Sequence, residues 1–152
     1  MNASPTPDTD PRGRRRLRDR RGQSLVEFAV VFPVFILLLA GMVDFGLGLY
    51  ANVTIINAAR EGARLGVVQQ PVNTTAIEDR VKAMSTGLDL TQLTVTSTCL
   101  RPSGSSFVAC TSPMWAAGDS VRVRVDYQYS MVWPLAFGTQ LDLSSAVQMR
   151  IE

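Results

Sequence analysis

Residues 28–43, FAVVFPVFILLLAGMV, form sixteen consecutive positions without a charge. This run constrains the chain more than any other segment, because its length decides between a membrane span and a cleaved signal. From Leu25 to Tyr50 there are 26 residues. As helix they extend about 39 Å, enough to cross a hydrocarbon core of ~30 Å and its interfaces. A secretory signal has a shorter apolar core and ends in a small-residue cleavage site followed by polar sequence. Here the chain continues in helical style through MVDFGLGLYANVTIINAAREGAR. A retained span is the expectation.

The charge distribution orients it. Residues 1–22 carry seven arginines (Arg12, Arg14, Arg15, Arg16, Arg18, Arg20, Arg21) against Asp8, Asp10 and Asp19. The other 130 residues carry eight bases and ten acids. A basic block can be a solvated tail or a nucleic-acid patch. No clustered bases elsewhere extend a nucleic-acid surface, and a basic block abutting an apolar run fits the positive-inside rule. No nucleic-acid partner is expected. The N-terminus is expected in the cytoplasm and the C-terminal domain outside.

Three residues interrupt the apolar character. Pro33 would cost about 3 kcal/mol inside a helix in water but is tolerated as a kink in a membrane. A bare kink and a functional hinge both remain open readings. Asp44 lies near the outer interface, where it can reach water. Glu27 lies just inside the inner boundary. A charge costs ~2.5–3.5 kcal/mol at the centre of a span and less near its ends, so position alone leaves Glu27 ambiguous.

The residues before the run say more. Gly22 closes the basic leader, and Glu27 is the fifth residue after it. Basic leader, Gly, Glu at the fifth position and apolar helix resemble the prepilin-peptidase site of type IV pilin-like proteins. Cleavage between Gly22 and Gln23 would give Gln23 a new α-amino group. Gln23 and Glu27 are i and i+4, hence on one helix face. The carboxylate could then pair with that amine, in its own chain or a neighbour's.

The match narrows further along. Gly22, Glu27-Phe28-Ala29, Pro33, Asp44-Phe45-Gly46 and the AAREGAR of residues 58–64 resemble the TadE-like pseudopilins of the tight-adherence (Flp) pilus machinery. The closing SSAVQMRIE resembles that family more weakly, and residues 70–140 carry no matching motif. The resemblance implies a minor, peptidase-processed protein of the bacterial cytoplasmic membrane, needed for pilus assembly. Its implied partners are the membrane, the prepilin peptidase, other pilins or pseudopilins and the assembly machinery, and incorporation into the fibre stays open. It implies assembly roles for Glu27 and Asp44, no catalytic residue and no enzyme activity.

Composition supports the last point. The absence of His and the presence of only two Cys exclude ordinary His catalysis and Cys/His zinc sites. The lone lysine, Lys82, has no Ser–Lys motif around it. No cofactor and no metal are expected. The rival reading is an unprocessed, membrane-anchored cell-surface binding or adhesion module.

Beyond the span, Ala58, Gly62 and Gly66 are spaced by four, as are Ala59 and Ala63. This stripe of small residues permits close helix approach, either to the chain's own domain or to another subunit. Residues 74–88 predict a second helix, capped by Thr74 or Thr75 with Glu78 completing a capping box, striped by Ile77, Val81 and Met84, and stopped near Gly87. QLTVTSTC alternates weakly. In SVRVRVDYQYS, Val121, Val123, Val125, Tyr127 and Tyr129 face one way. Leu141, Leu143, Val147, Met149 and Ile151 do the same near the end.

The expected fold is α+β: a long N-terminal transmembrane helix, then a small exported domain with a second helix and an antiparallel sheet of three or more strands. The divisions are a leader at 1–22, the span and its extension at 23–68, and the exported domain at 69–152. Cys99 and Cys110 bracket a turn-rich loop on the exported side, where disulfides persist. A disulfide is expected, with two buried free thiols as the alternative. Residues 131–138, MVWPLAFG, are unusually apolar for a connection and either pack on the domain's core or form a partner patch.

Overall fold

The computed structural model describes the backbone of residues 12–110, 115–133 and 138–152, and side chains from Gly22 onward. Helix α1 runs Arg12–Val68 with Pro33 inside it, and α2 runs Thr74–Met84. A short 3₁₀ turn, Leu90–Gln92, leads into β1 (Leu93–Ser103). Strands β2 (Ser106–Ala109), β3 (Ser120–Ser130) and β4 (Gln140–Arg150) complete an antiparallel sheet of order β2-β1-β3-β4. The fold is the expected α+β arrangement.

The chain divides into two compact units, Met1–Ala40 and Gly41–Glu152. In the first, residues 22–39 are all exposed, and from Gly22 the helix is long and apolar enough to cross a membrane. The second has a conventional core. Residues 41–68 of α1 supply Ala51, Ile55, Ala58, Ala59 and Ala63 to it, α2 supplies Ile77 and Val81, and β3 supplies Val121, Val123, Val125 and Tyr127. Each fully buried Val or Ile contributes roughly 1.5–3 kcal/mol relative to exposure.

The small residues of α1 set how close this packing is. A Cβ added to Gly62 would lie 2.5 Å from Val81 Cγ2, and one added to Gly66 would lie 2.8 Å from Ile77 Cδ1 and 3.0 Å from Val121 Cγ1. The stripe Ala58, Ala59, Gly62, Ala63 and Gly66 therefore seats α1 on α2 and β3 of the same chain. Gly66 meets Val121, Gly62 meets Val123, and Gly48 meets Tyr129. Eighteen helical residues and eight strand residues both span about 26–27 Å, so β3 runs back along α1 and stays on its small face throughout.

Three details differ from the sequence reading. The cap of α2 is Asn73, whose side chain accepts N–H bonds from Thr75 and Ala76. Asn ranks above Thr as a cap, and Glu78 pairs with Lys82 at 2.6 Å instead of closing a capping box. Met84 is 40 % exposed, which shortens the buried stripe to Ile77 and Val81. The bracketed loop is a β-hairpin: Leu100 to Ser103 pair with Ala109 to Ser106, turning at Gly104 with φ +60°. Positive φ suits Gly in a two-residue hairpin turn. Cys99 and Cys110 close that hairpin with a disulfide.

Candidate assembly site on the long helix

In the first unit, Gly22 is helical, and a Cβ there would meet nothing within 4 Å. Gly inside a helix costs about 1 kcal/mol relative to Ala, and neither close packing nor backbone geometry requires it here. Gln23 donates from Nε2 to Glu27 Oε1 at 3.3 Å, so the i, i+4 pair shares a face. Phe28 and Phe32 stack with ring centroids 5.1 Å apart.

In the second unit, Asp44 does not reach water. It is 6 % exposed. The backbone N–H of Val132 donates to its Oδ1 at 2.8 Å, that of Trp133 to Oδ2 at 3.0 Å, and the Tyr129 hydroxyl to Oδ1 at 3.4 Å. The carboxylate thus clamps the start of the β3–β4 connection onto the helix. Burial is the first cause, and the nearby Asp44 charge the second, that pushes the Tyr129 hydroxyl above its ordinary pKa. Sequence reasoning placed Asp44 at an interface and missed this role. The available signal was spacing: Asp44, Gly48, Ala51 and Ile55 continue the small, buried stripe of residues 58–66 at helical intervals.

A cavity of about 410 Å³ adjoins the clamp, lined by Gly41, Asp44, Phe45, Gly48, Leu49 and Asn52 of α1, by Tyr129, Leu141 and Leu143 of the sheet and by Met131 just after β3. In the apolar segment, Val132 and Trp133 project outward, 58 % and 45 % exposed. Residues 134–137 lie outside the described residues.

Two ionic clusters hold the domain elsewhere. Glu61 accepts both Arg64, at 2.9 Å, and Arg80, at 2.7 Å, tying α1 to α2. Asp119 accepts a bidentate Arg101 at 2.8 Å and the Ala116 N–H at 3.1 Å. The Arg101 guanidinium, then that N–H, hold the Asp119 carboxyl down at about 2. Asp119 lies close to Cys99 and Cys110. With both sulfurs in a disulfide and the carboxylate bound to Arg101, the trio offers no thiolate to a metal.

These features define a class: a helix apolar at one end and packed by small residues at the other, carrying an α+β domain. Residues 22–64 match the family model described as TadE-like protein, the family that the sequence resembles. The match points to a role connected with the Tad pilus. No curated protein and no solved structure matches the chain.

Proposed function

We propose that the protein is a minor pseudopilin required to assemble a tight-adherence pilus, cut by a prepilin peptidase between Gly22 and Gln23. The observation that carries this reading is where the family match begins. It starts at Gly22, a glycine that the fold does not need and the residue after which the leader ends. The apolar helix then inserts in the bacterial cytoplasmic membrane with the Arg leader inside and the domain outside. The new α-amino group of Gln23 pairs with Glu27, whose side chain already shares its face. The role is structural, and its partners are other pilins and the assembly machinery.

The test separates processing from assembly. Intact-mass analysis of membranes with and without the peptidase should show a mature chain starting at Gln23 only when the peptidase is present. Glu27→Gln should be inserted and trimmed yet fail to support piliation, because it leaves an ammonium without its partner in a poorly hydrated site. A leader that remains attached in peptidase-positive cells refutes the processing, and normal piliation by Glu27→Gln refutes the pairing.

A further inference from the structure

The cavity beside the Asp44 clamp has apolar walls from Phe45, Leu49, Met131, Leu141 and Leu143, and Gly41 and Gly48 hollow out its helix side. Both oxygens of Asp44 are occupied by N–H donors of the chain itself. A held water needs two to four polar partners, and these walls offer few. A space of this size with such walls suits an apolar ligand.

Its position suggests where the ligand comes from. Asp44 directly follows the uncharged run of residues 28–43, so the cavity opens where an inserted helix would leave the hydrocarbon. Its helix side carries Phe45, 75 % exposed, and the exposed Val132 and Trp133 are held at the adjoining Asp44. Irregular backbone enters an apolar medium only if its polar groups are satisfied. Asp44 meets that condition for the amides of Val132 and Trp133. Trp is also the residue suited to the headgroup boundary. A second copy of the helix does not fit: a cylinder about 10 Å wide would fill 410 Å³ in less than one turn.

We propose that this groove takes one acyl chain of a bilayer lipid and that Val132 and Trp133 lie in the lipid interface beside it. The proposal rests on the membrane insertion proposed above. The full chain is placed in phosphatidylcholine nanodiscs carrying bromines on the acyl chains, in a Trp115→Phe background that leaves Trp133 as the single reporter. Trp133 emission should be blue-shifted, quenched by the bromines and protected from iodide. A second reporter, Phe35→Trp in a chain with both native tryptophans changed to Phe, reads insertion alone. Lipids with a photoactivatable acyl chain should label peptides containing Phe45–Leu49 or Leu141–Leu143. Gly48→Leu, which fills the groove, should abolish that labelling and leave the Phe35→Trp signal unchanged. Quenching of Phe35→Trp without quenching of Trp133 overturns the proposal and spares the membrane reading. Quenching of neither overturns both. Labelling that survives Gly48→Leu, or chain-to-chain adducts in place of lipid adducts, also overturns the proposal.

Discussion

Asp44→Asn tests the clamp with almost no change of shape. The native carboxylate takes one backbone N–H on each oxygen, from Val132 at 2.8 Å and Trp133 at 3.0 Å. An amide keeps one acceptor oxygen and presents an NH₂ group to the other donor. One of the two amides loses its partner in a site that is nearly closed to water. Leaving such a donor unsatisfied costs about 1–3 kcal/mol. At 1.4 kcal/mol per factor of ten, that opens the connection roughly 5- to 150-fold more often. Hydrogen exchange at the Val132 and Trp133 amides, resolved by fragmentation mass spectrometry, reads the change directly. The effect should be local, because the Val121–Val125 core lies well along β3 from the clamp. Unchanged exchange at both amides would refute the argument that the carboxylate holds this connection. Equal acceleration throughout β3 and β4 would refute its locality.

Gly62→Ala should destabilise the domain by about 1–3 kcal/mol through overpacking, partly offset by the ~1 kcal/mol that Ala gains in a helix. Val81 is β-branched and fully buried in a helix, where one χ1 is strongly preferred, so it yields at a cost. Val81→Ala in that background should recover part of the loss, as read by urea midpoints in pulse proteolysis, and a purely additive cycle would argue against the contact. Gly66→Ala should also destabilise the domain, since its Cβ would meet Ile77 Cδ1 at 2.8 Å and Val121 Cγ1 at 3.0 Å, both on fully buried side chains. Asp119 has a folded pKa of about 2 against an ordinary 3.8. Its contribution to stability is therefore complete above pH ~4 and disappears as pH falls toward 2. Wild type and Asp119→Asn should differ at pH 6 and converge near pH 2, and a constant gap would contradict the ion pair's role. Denatured, non-reduced protein should expose no thiol at Cys99 or Cys110. Replacing both with Ala should speed exchange in β2, whose residues are all exposed, far more than in β3.

Local pattern was enough to recover much of this protein. The apolar run, the alternation in β3 and β4, the pairing of Cys99 with Cys110 and the small-residue stripe each depend on periodicity or spacing along the chain. The Gly22–Glu27 spacing lies inside a single helix, so its geometry was legible as well. The turn-rich loop was harder, because β2 is four exposed residues with no apolar alternation. It becomes a strand only when β1 offers its edge and Gly104 turns the chain. The α2 cap shifted to Asn73 for a related reason: three consecutive residues can all cap, and the helix start picks one.

Tertiary structure alone decided what Asp44 does. From the sequence it is an acid at the end of a span, indistinguishable from one that meets water. Its partners are Tyr129, Val132 and Trp133, more than eighty residues away, and two of the three contribute only backbone N–H groups, which every residue but proline carries. The choice between an inward and an outward face for Gly62 and Gly66 was likewise made by Val81, Ile77 and Val121 from other elements. A sequence records which residues are small or charged along one helix. Which partner fills the space beside a glycine, or donates to a carboxylate, is set when β3 is laid back along α1.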